Sequence, residues 1–369
     1  MIDQGSDRGA LIRSFPTHSQ SYTYDQALAI IAFSEAGDRK SARTLIKAVT
    51  KLILPDGSLY FSYNLDGTSI YPSEGDKRFA GAVAWMAIAL SQYQNAFDTD
   101  EFRDVNTKIL TFLAGEMKTL SLKGAPYSAL RFNPTDVAGN GWDERKTAAL
   151  EHNLDAYSAF TGFAALNPGQ TWEKEISSLR SFSLAMWDNG RSHFWSGANI
   201  ESGSINKSEY YLDNQTWSLL ALEKKYLAGI DSSEALKANC ESLYVEHEGV
   251  TGFMDSRPSN GQRAAGFVWS EGTLGQILAM KKNEALFRKK ESCEKKNADD
   301  FLKSVEKMAK SDGGIAYATT TSNPDFTTAS SVAGTAWMYF AKVGFNPFEL
   351  KAQARSVASQ KPKTSRRGQ

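Results

Sequence analysis

QALAIIAF at 26–33, VAWMAIAL at 83–90, NLDAYSAF at 153–160, QTWSLLAL at 215–222, TLGQILAM at 273–280 and TAWMYFAK at 335–342 align on a shared alanine: Ala32, Ala89, Ala159, Ala221, Ala279 and Ala341. Trp85, Trp217 and Trp337 occupy the same register, two residues into their segments. Each segment is apolar nearly all round and rich in small residues, which is the composition of a helix packed on both sides. All six read as inner helices of one repeating architecture.

A short break follows each of the first five segments: Gly37-Asp38, Phe97-Asp98, Asn167-Pro168-Gly169, Gly229-Ile230-Asp231 and the stretch from Lys281 to Asn283. An amphipathic, charge-rich segment comes next, as at 41–54, where Ala42, Leu45, Ile46, Val49 and Leu52 form one stripe. These read as outer helices. Between an outer helix and the next inner one lies turn chemistry beside aromatics: Asp56-Gly57 with Tyr60, Gly124 with Tyr127, Gly190 with Phe194 and Trp195, Gly249 with Phe253, and Asp312-Gly313-Gly314 with Tyr317. Such pieces suit short hairpins gathered at one end. Repeats of about 60 residues are too long for tetratricopeptide or ankyrin units, and an open solenoid needs polar capping repeats. The first and last repeats are as apolar as the others, so a closed ring follows. The expected fold is all-α, an (α/α)6 toroid of six helical hairpins over residues 21–350, with short β-hairpins or loops at one end. Residues 1–20 read as an N-terminal extension and 351–369 as a disordered basic tail.

The bulk composition agrees. The 369 residues carry 42 Lys plus Arg against 42 Asp plus Glu, so the charge pattern of a dedicated nucleic-acid binder is missing. No 18-residue apolar run supplies a transmembrane segment. Residues 1–19 lack a signal-peptide apolar region, which fits both a cytoplasmic protein and a secreted or periplasmic one whose export signal has been removed. Cys240 and Cys293 exclude a disulfide framework and a multi-Cys zinc site. They fall on neighbouring outer helices, where either one disulfide or, as the blander expectation, two buried thiols can form.

YDQALAIIAFSEAGD, EHNLDAYSAF, LDNQTWSLLAL and WSEGTLGQILAM resemble inner-helix segments of the six-hairpin glycosidase-like superfamily. The resemblance covers nearly the whole chain, at the level of architecture, and matches no single family's catalytic signature. It implies a carbohydrate substrate more firmly than a particular reaction, since related toroids include polysaccharide lyases, sugar epimerases and terpenoid cyclases.

Two places before each aligned start stand Tyr24, Gly81, Glu151, Asp213, Glu271 and Ala333, so carboxylates occupy this position in the third, fourth and fifth repeats. In a closed ring they form one acidic arc at the N-terminal mouth, joined by Asp25. Acids are also favoured in a first helical turn by capping and by the macrodipole, and Asp213 suits an N-cap. Glycoside hydrolysis requires one protonated and one ionised carboxyl, a split that burial and like charge create. Adjacent helices lie about 8–10 Å apart, a spacing nearer to inversion than to retention. Among the acids expected in loops, Glu74, Asp76, Asp143 and Glu144 are weaker candidates for the same chemistry.

Flat aromatic rings near the mouth offer faces to sugars. Trp142, Trp195 and Trp269 are the candidate platforms with Tyr24, whereas Trp85, Trp217 and Trp337 lie deeper and read as core. His152 and Asn153 flank the arc and are candidates to hold substrate hydroxyls, with His152 an alternative base for an epimerase-like reaction. No HExxH, Walker A, GxGxxG or GxSxG pattern is present, and no metal or organic cofactor is implied. The expected function is a monomeric glycoside hydrolase acting on an oligo- or polysaccharide by inverting acid/base catalysis, with Glu151, Glu271, Asp213 and Asp25 as catalytic residues. A non-catalytic glycan-binding toroid and a polysaccharide lyase are the alternatives.

Overall fold

A computed structural model describes residues 11–72, 75–134, 144–258, 266–283, 293, 296–323 and 325–351. The residues expected to form the basic tail beyond Lys351, and Glu74, Trp142 and Asp143, lie outside the described residues. In chain order the α-helices are α1 (Thr23–Glu35), α2 (Arg39–Thr50), α3 (Ala80–Phe97), α4 (Arg103–Gly115), α5 (Leu150–Leu166) and α6 (Glu173–Ala185). They continue with α7 (Leu212–Ala221), α8 (Ser232–Leu243), α9 (Ser270–Lys282), α10 (Ala298–Val305) and α11 (Val332–Val343). Each odd-numbered helix touches the next odd-numbered one, and α11 touches α1, so six inner helices close a ring. Each even-numbered helix packs on the inner helix before it. The burial explains the compositional contrast: every residue of α3 from Ala80 to Tyr93 is buried, whereas α2 buries only Ala42, Leu45, Ile46, Ala48 and Val49.

The helix register read from the sequence holds at all six starts, since Tyr24, Gly81, Glu151, Asp213, Glu271 and Ala333 are each the second residue of an inner helix. Two residues further on, the side chain clasps a neighbouring backbone segment. Asn153 exchanges hydrogen bonds with both the N–H and the C=O of Leu130, and Gln215 does the same with Phe194. Thr273 and Thr335 accept from the N–H groups of Phe253 and Ile315. These bonds tie the rim strands to the tops of the inner helices, each contributing about 1 kcal/mol.

The hairpin expectation needs correction in detail. Strands Met117–Leu122 and Ala125–Leu130 pair around Lys123-Gly124, and Tyr244–His247 and Val250–Phe253 around Glu248-Gly249, all four turn residues having positive φ. In the first repeat, however, Ser62–Asn64 pairs with Gln20–Tyr22 rather than with a local partner, and Ile315–Ala316 pairs with Ser330–Ser331. The stretch before the ring is also built in. Gln26 bonds both the N–H and the C=O of Ile12 at 2.8 Å, and Val332 N–H donates to Ser14 C=O, so residues 12–14 bridge α1 and α11.

The sixth hairpin is not seen: among the described residues α11 has no outer partner. Gly344 ends α11 in the left-handed conformation (φ 67°), which turns the chain inward instead. Gln92 Nε2 then donates to the C=O groups of Pro347 and Glu349, and Asn346 Nδ2 to that of Leu220. This carries Phe348 under the ring. Trp85, Trp217 and Trp337, from alternate inner helices, meet there at centroid distances of 5.6–6.2 Å, with Phe348 4.9–6.4 Å from each. The ring is therefore floored by aromatics.

Cys240 in α8 is bonded to Cys293, so the disulfide and not the pair of thiols is formed. Among the described residues no helix is long and apolar enough to cross a membrane.

Candidate active site

Glu151, Asp213 and Glu271 stand on α5, α7 and α9, three successive staves of the ring. None is an N-cap: those positions belong to Ala149, Tyr211 and Trp269, which make no side-chain cap. Asp213 does accept from the Asn214 N–H at 2.6 Å, a helix-start donor. The helix-capping explanation therefore covers part of Asp213 and nothing of Glu151 or Glu271.

The three acids lie within electrostatic reach of one another. Burial is the main cause that raises the Glu151 pKa well above its ordinary value, followed by the negative charge of Asp213 and a hydrogen bond with it. Asp213 is itself pushed up to about 6 by burial, while the bond from Glu151 works in the opposite sense. The two carboxyls are thus coupled, with Glu151 the more strongly raised of the pair. Glu271 is pushed up to about 8 by burial, with the charges of Asp25 and Asp213 adding to it. Tyr24 Oη donates to Glu271 Oε1 at 2.5 Å and partly offsets that rise; Trp337 Nε1 in turn donates to Tyr24 Oη at 2.9 Å. Tyr24 is thus a hydrogen-bonding element of the site, its ring edge-on to Trp85 at 5.2 Å.

Asp25 is buried and raised to about 7, chiefly by desolvation. It acts on Glu271 and on Tyr317. Accessibility separates the acids: the Glu151 side chain is 30% exposed and Asp213 is half-buried, whereas Asp25 and Glu271 are buried. The first two are therefore the solvent-accessible members of the cluster and the others its buried ones.

Two further carboxylates were missed by the sequence reading. Asp155 is buried one turn below Glu151, and burial and then Asp213 raise its pKa well above the ordinary value. Its signal was the i, i+4 spacing from Glu151, which places both acids on one side of α5. Gly81 explains the room: a Cβ there would lie 2.3 Å from the His152 ring and 2.9 Å from Asp155 Oδ2, so the second repeat has no side chain at the position where three others carry an acid. Asp255, raised by burial, acts on Asp213 from the rim. Nothing in the sequence separated it from other loop acids.

Several candidates fall elsewhere. Asn153 is fully buried and spends its amide on Leu130 and on Ala149 C=O, so it holds the rim and not a substrate. Trp195 is 3% exposed; Arg191 and Lys207 cover its ring and Asp188 accepts from its Nε1, leaving no open face for a sugar. Trp269 is buried against Tyr317 and Phe326 and serves as wall. His152 stacks on Phe132 at 4.1 Å, and burial drives its pKa down to about 3, so the ring is neutral with Nε2 3.5 Å from Glu151 Oε1. Of the loop acids, Glu144 is paired with Lys77 at 3.4 Å and accepts from Asn133, and Asp76 is exposed.

No family model and no curated protein matches the chain. Solved structures do. A cellobiose 2-epimerase from Bacillus thermoamylovorans superposes with a TM-score of 0.68 at 13% identity, covering 92% of this chain and 94% of that one. A family 8 glycosyl hydrolase endoglucanase from Klebsiella pneumoniae gives 0.56 at 14% identity, covering 92% and 96%. The chain has the fold of the (α/α)6 toroid enzymes. A family 76 α-mannanase from Bacteroides thetaiotaomicron adds a TM-score of 0.60 at 12% identity, with 92% of this chain and 91% of that one covered. The toroid's neighbours are thus carbohydrate-active enzymes with more than one chemistry.

Proposed function

We propose that the toroid is a glycoside hydrolase acting on an oligo- or polysaccharide, with Glu271 as proton donor and Asp213 as the base that activates water. The observation that carries this reading is the placement of Glu151, Asp213 and Glu271 at the second residue of three successive inner helices of the closed ring, with Glu271 raised to about 8 and Asp213 to about 6, burial being the first cause of each. Near neutral pH Glu271 holds its proton and Asp213 has lost it, which is the pairing that hydrolysis requires. The donor protonates the leaving glycosidic oxygen. Asp213 takes a proton from water as that water attacks the anomeric carbon from the opposite face.

Carboxylates borne by adjacent helices, whose axes typically lie about 8–10 Å apart, suit the separation of about 6.5–9.5 Å typical of inversion. Glu151 is too near Asp213 to admit a water between them. Its hydrogen bond instead lowers the Asp213 pKa and keeps that group ionised, a positioning role. The groups acting on the cluster are other acids, which weighs against a lyase that must neutralise a uronate. The glycosidases among the structural neighbours support the hydrolytic reading, and the Cys240–Cys293 disulfide fits an exported protein.

A second reading, sugar epimerisation, draws on the neutral His152 beside Glu151 and on the epimerase neighbours. Incubation with a panel of neutral oligo- and polysaccharides in D2O separates the two. Hydrolysis yields new reducing ends, with inverted anomeric configuration in the first NMR spectra and no deuterium on carbon. Epimerisation yields carbon-bound deuterium and no new ends. Binding with neither product would leave a glycan-binding toroid and defeat the proposal.

A further inference from the structure

A polar cavity lies outside the carboxylate cluster. It has a volume of about 240 Å³ and is walled by Arg191, His193, Tyr210, Glu241, Ser242 and Arg257. Its position follows from strand alternation. In the strand Glu209–Tyr211, Tyr210 lines this cavity while Tyr211 feels the charges of Glu151 and Asp213. The cavity is thus on the outer side of a strand whose inner side borders the mouth. Arg257 is brought beside it because Ser256–Pro258 pairs with that strand, placing Arg257 opposite Tyr210.

The chemistry of the walls is unbalanced. Neither Arg191 nor Arg257 makes an ion pair among the described residues, and Arg257 Nε is buried without a hydrogen-bond partner. His193, 7% exposed and held edge-on between Trp195 and Tyr210, also has a buried Nε2 with no hydrogen-bond partner among the described residues. Burial first, and both arginines after it, lower its pKa to about 4, so two guanidinium charges converge on one neutral ring. Two acids are near: Asp188 acts on His193 but is occupied by Trp195 Nε1 and the Gly190 N–H, and Glu241 lines the cavity.

We propose that this cavity binds the oxyanion group of a small ligand, a carboxylate or a phosphate, through Arg191 and Arg257. Guanidinium groups match such anions in geometry as well as charge. The volume is below the roughly 300 Å³ at which pockets for drug-sized ligands begin, so the site takes a free ion or the acid group of one sugar unit and not a glycan chain. Glu241 favours a singly charged oxyanion, accepting from a phosphate O–H or a sugar hydroxyl.

Calorimetric titration of the full chain at constant ionic strength with inorganic phosphate, glucuronate and glucose tests this. One oxyanion should bind saturably with unit stoichiometry, and glucose should not; whichever of phosphate and glucuronate binds identifies the source of the group. Arg191→Gln and Arg257→Gln should each weaken binding about tenfold or more, with Arg257→Lys recovering part of the loss. Glu271→Gln should bind as the parent does, which separates this site from the carboxylate cluster. Absence of saturable binding by both oxyanions, parental affinity in either Arg→Gln variant, or loss of binding in Glu271→Gln would overturn the proposal.

Discussion

Replacing Tyr24 by Phe should shift the alkaline limb of the pH–rate profile upward while leaving the acidic limb in place. The hydroxyl donates to Glu271 at 2.5 Å and favours its ionised form, whereas the ring contact with Trp85 survives the substitution. A hydrogen bond to a charged group is worth about 1.5–3 kcal/mol, and each pKa unit corresponds to about 1.4 kcal/mol, so the Glu271 pKa rises by about one to two. The wild-type profile of kcat/KM should be a bell with limbs near 6 and 8, set by Asp213 losing and Glu271 keeping its proton. In the variant the upper limb moves to about 9 or 10. At pH 9 the wild type retains about a tenth of its donor in the acid form, and the variant about half or more. The assay is kcat/KM for a cleaved glycan between pH 4 and 10. An upper limb that stays put or moves down would refute the assignment of Glu271 as donor tuned by Tyr24.

Other outcomes follow from the same structure. Asp25 has a folded-state pKa of about 7 against an ordinary 3.8, so between those values the unfolded chain has lost a proton that the folded chain keeps, and stability falls as pH rises. Asp25→Asn should therefore be more stable than the parent by on the order of 4 kcal/mol at pH 8 and no different at pH 3, read from urea denaturation; a gain of equal size at both pH values would contradict the linkage. The Cys240–Cys293 bond closes a separation of 53 residues. Cys240→Ser should cost about 4 kcal/mol in the chain-entropy treatment, and a midpoint indifferent to reduction would show that the bond is not formed. Phe348→Ala removes the plug beneath three tryptophans and should cost about 3–5 kcal/mol, measured by chemical denaturation, and a near-neutral effect would mean that residues 345–350 do not floor the ring.

The ring was legible because its inner helices are packed on every side. Full burial excludes charge and enriches small residues, and this leaves an alanine register that a single sequence displays. The same register placed Glu151, Asp213 and Glu271 on one rim, since residues equivalent in helix phase are equivalent in space when the helices close on one another. Asp155 stayed hidden because it falls outside the aligned position at the helix starts, and only the closure of the ring brings it under the charge of Asp213. Asn153 misled for the converse reason, because its partner at Leu130 is 23 residues away and no local pattern announces the clasp. Trp195 sits among cations supplied by 191 and 207, so its exposure depended on loop packing. Among the described residues α11 has no outer partner, because the left-handed cap at Gly344 sends the chain across the ring's end, a turn that can follow a helix in either architecture.

The central claim is that the neighbouring acids of α7 and α9 break glycosidic bonds, and the most direct measurement is turnover by Asp213→Asn and Glu271→Gln on a glycan that the wild type cleaves. Both substitutions retain shape and remove the ability to exchange a proton, so each should lower kcat by about 10²–10⁴-fold, with thermal melting at or above that of the parent. Cleavage at the parental rate by either variant would contradict the account.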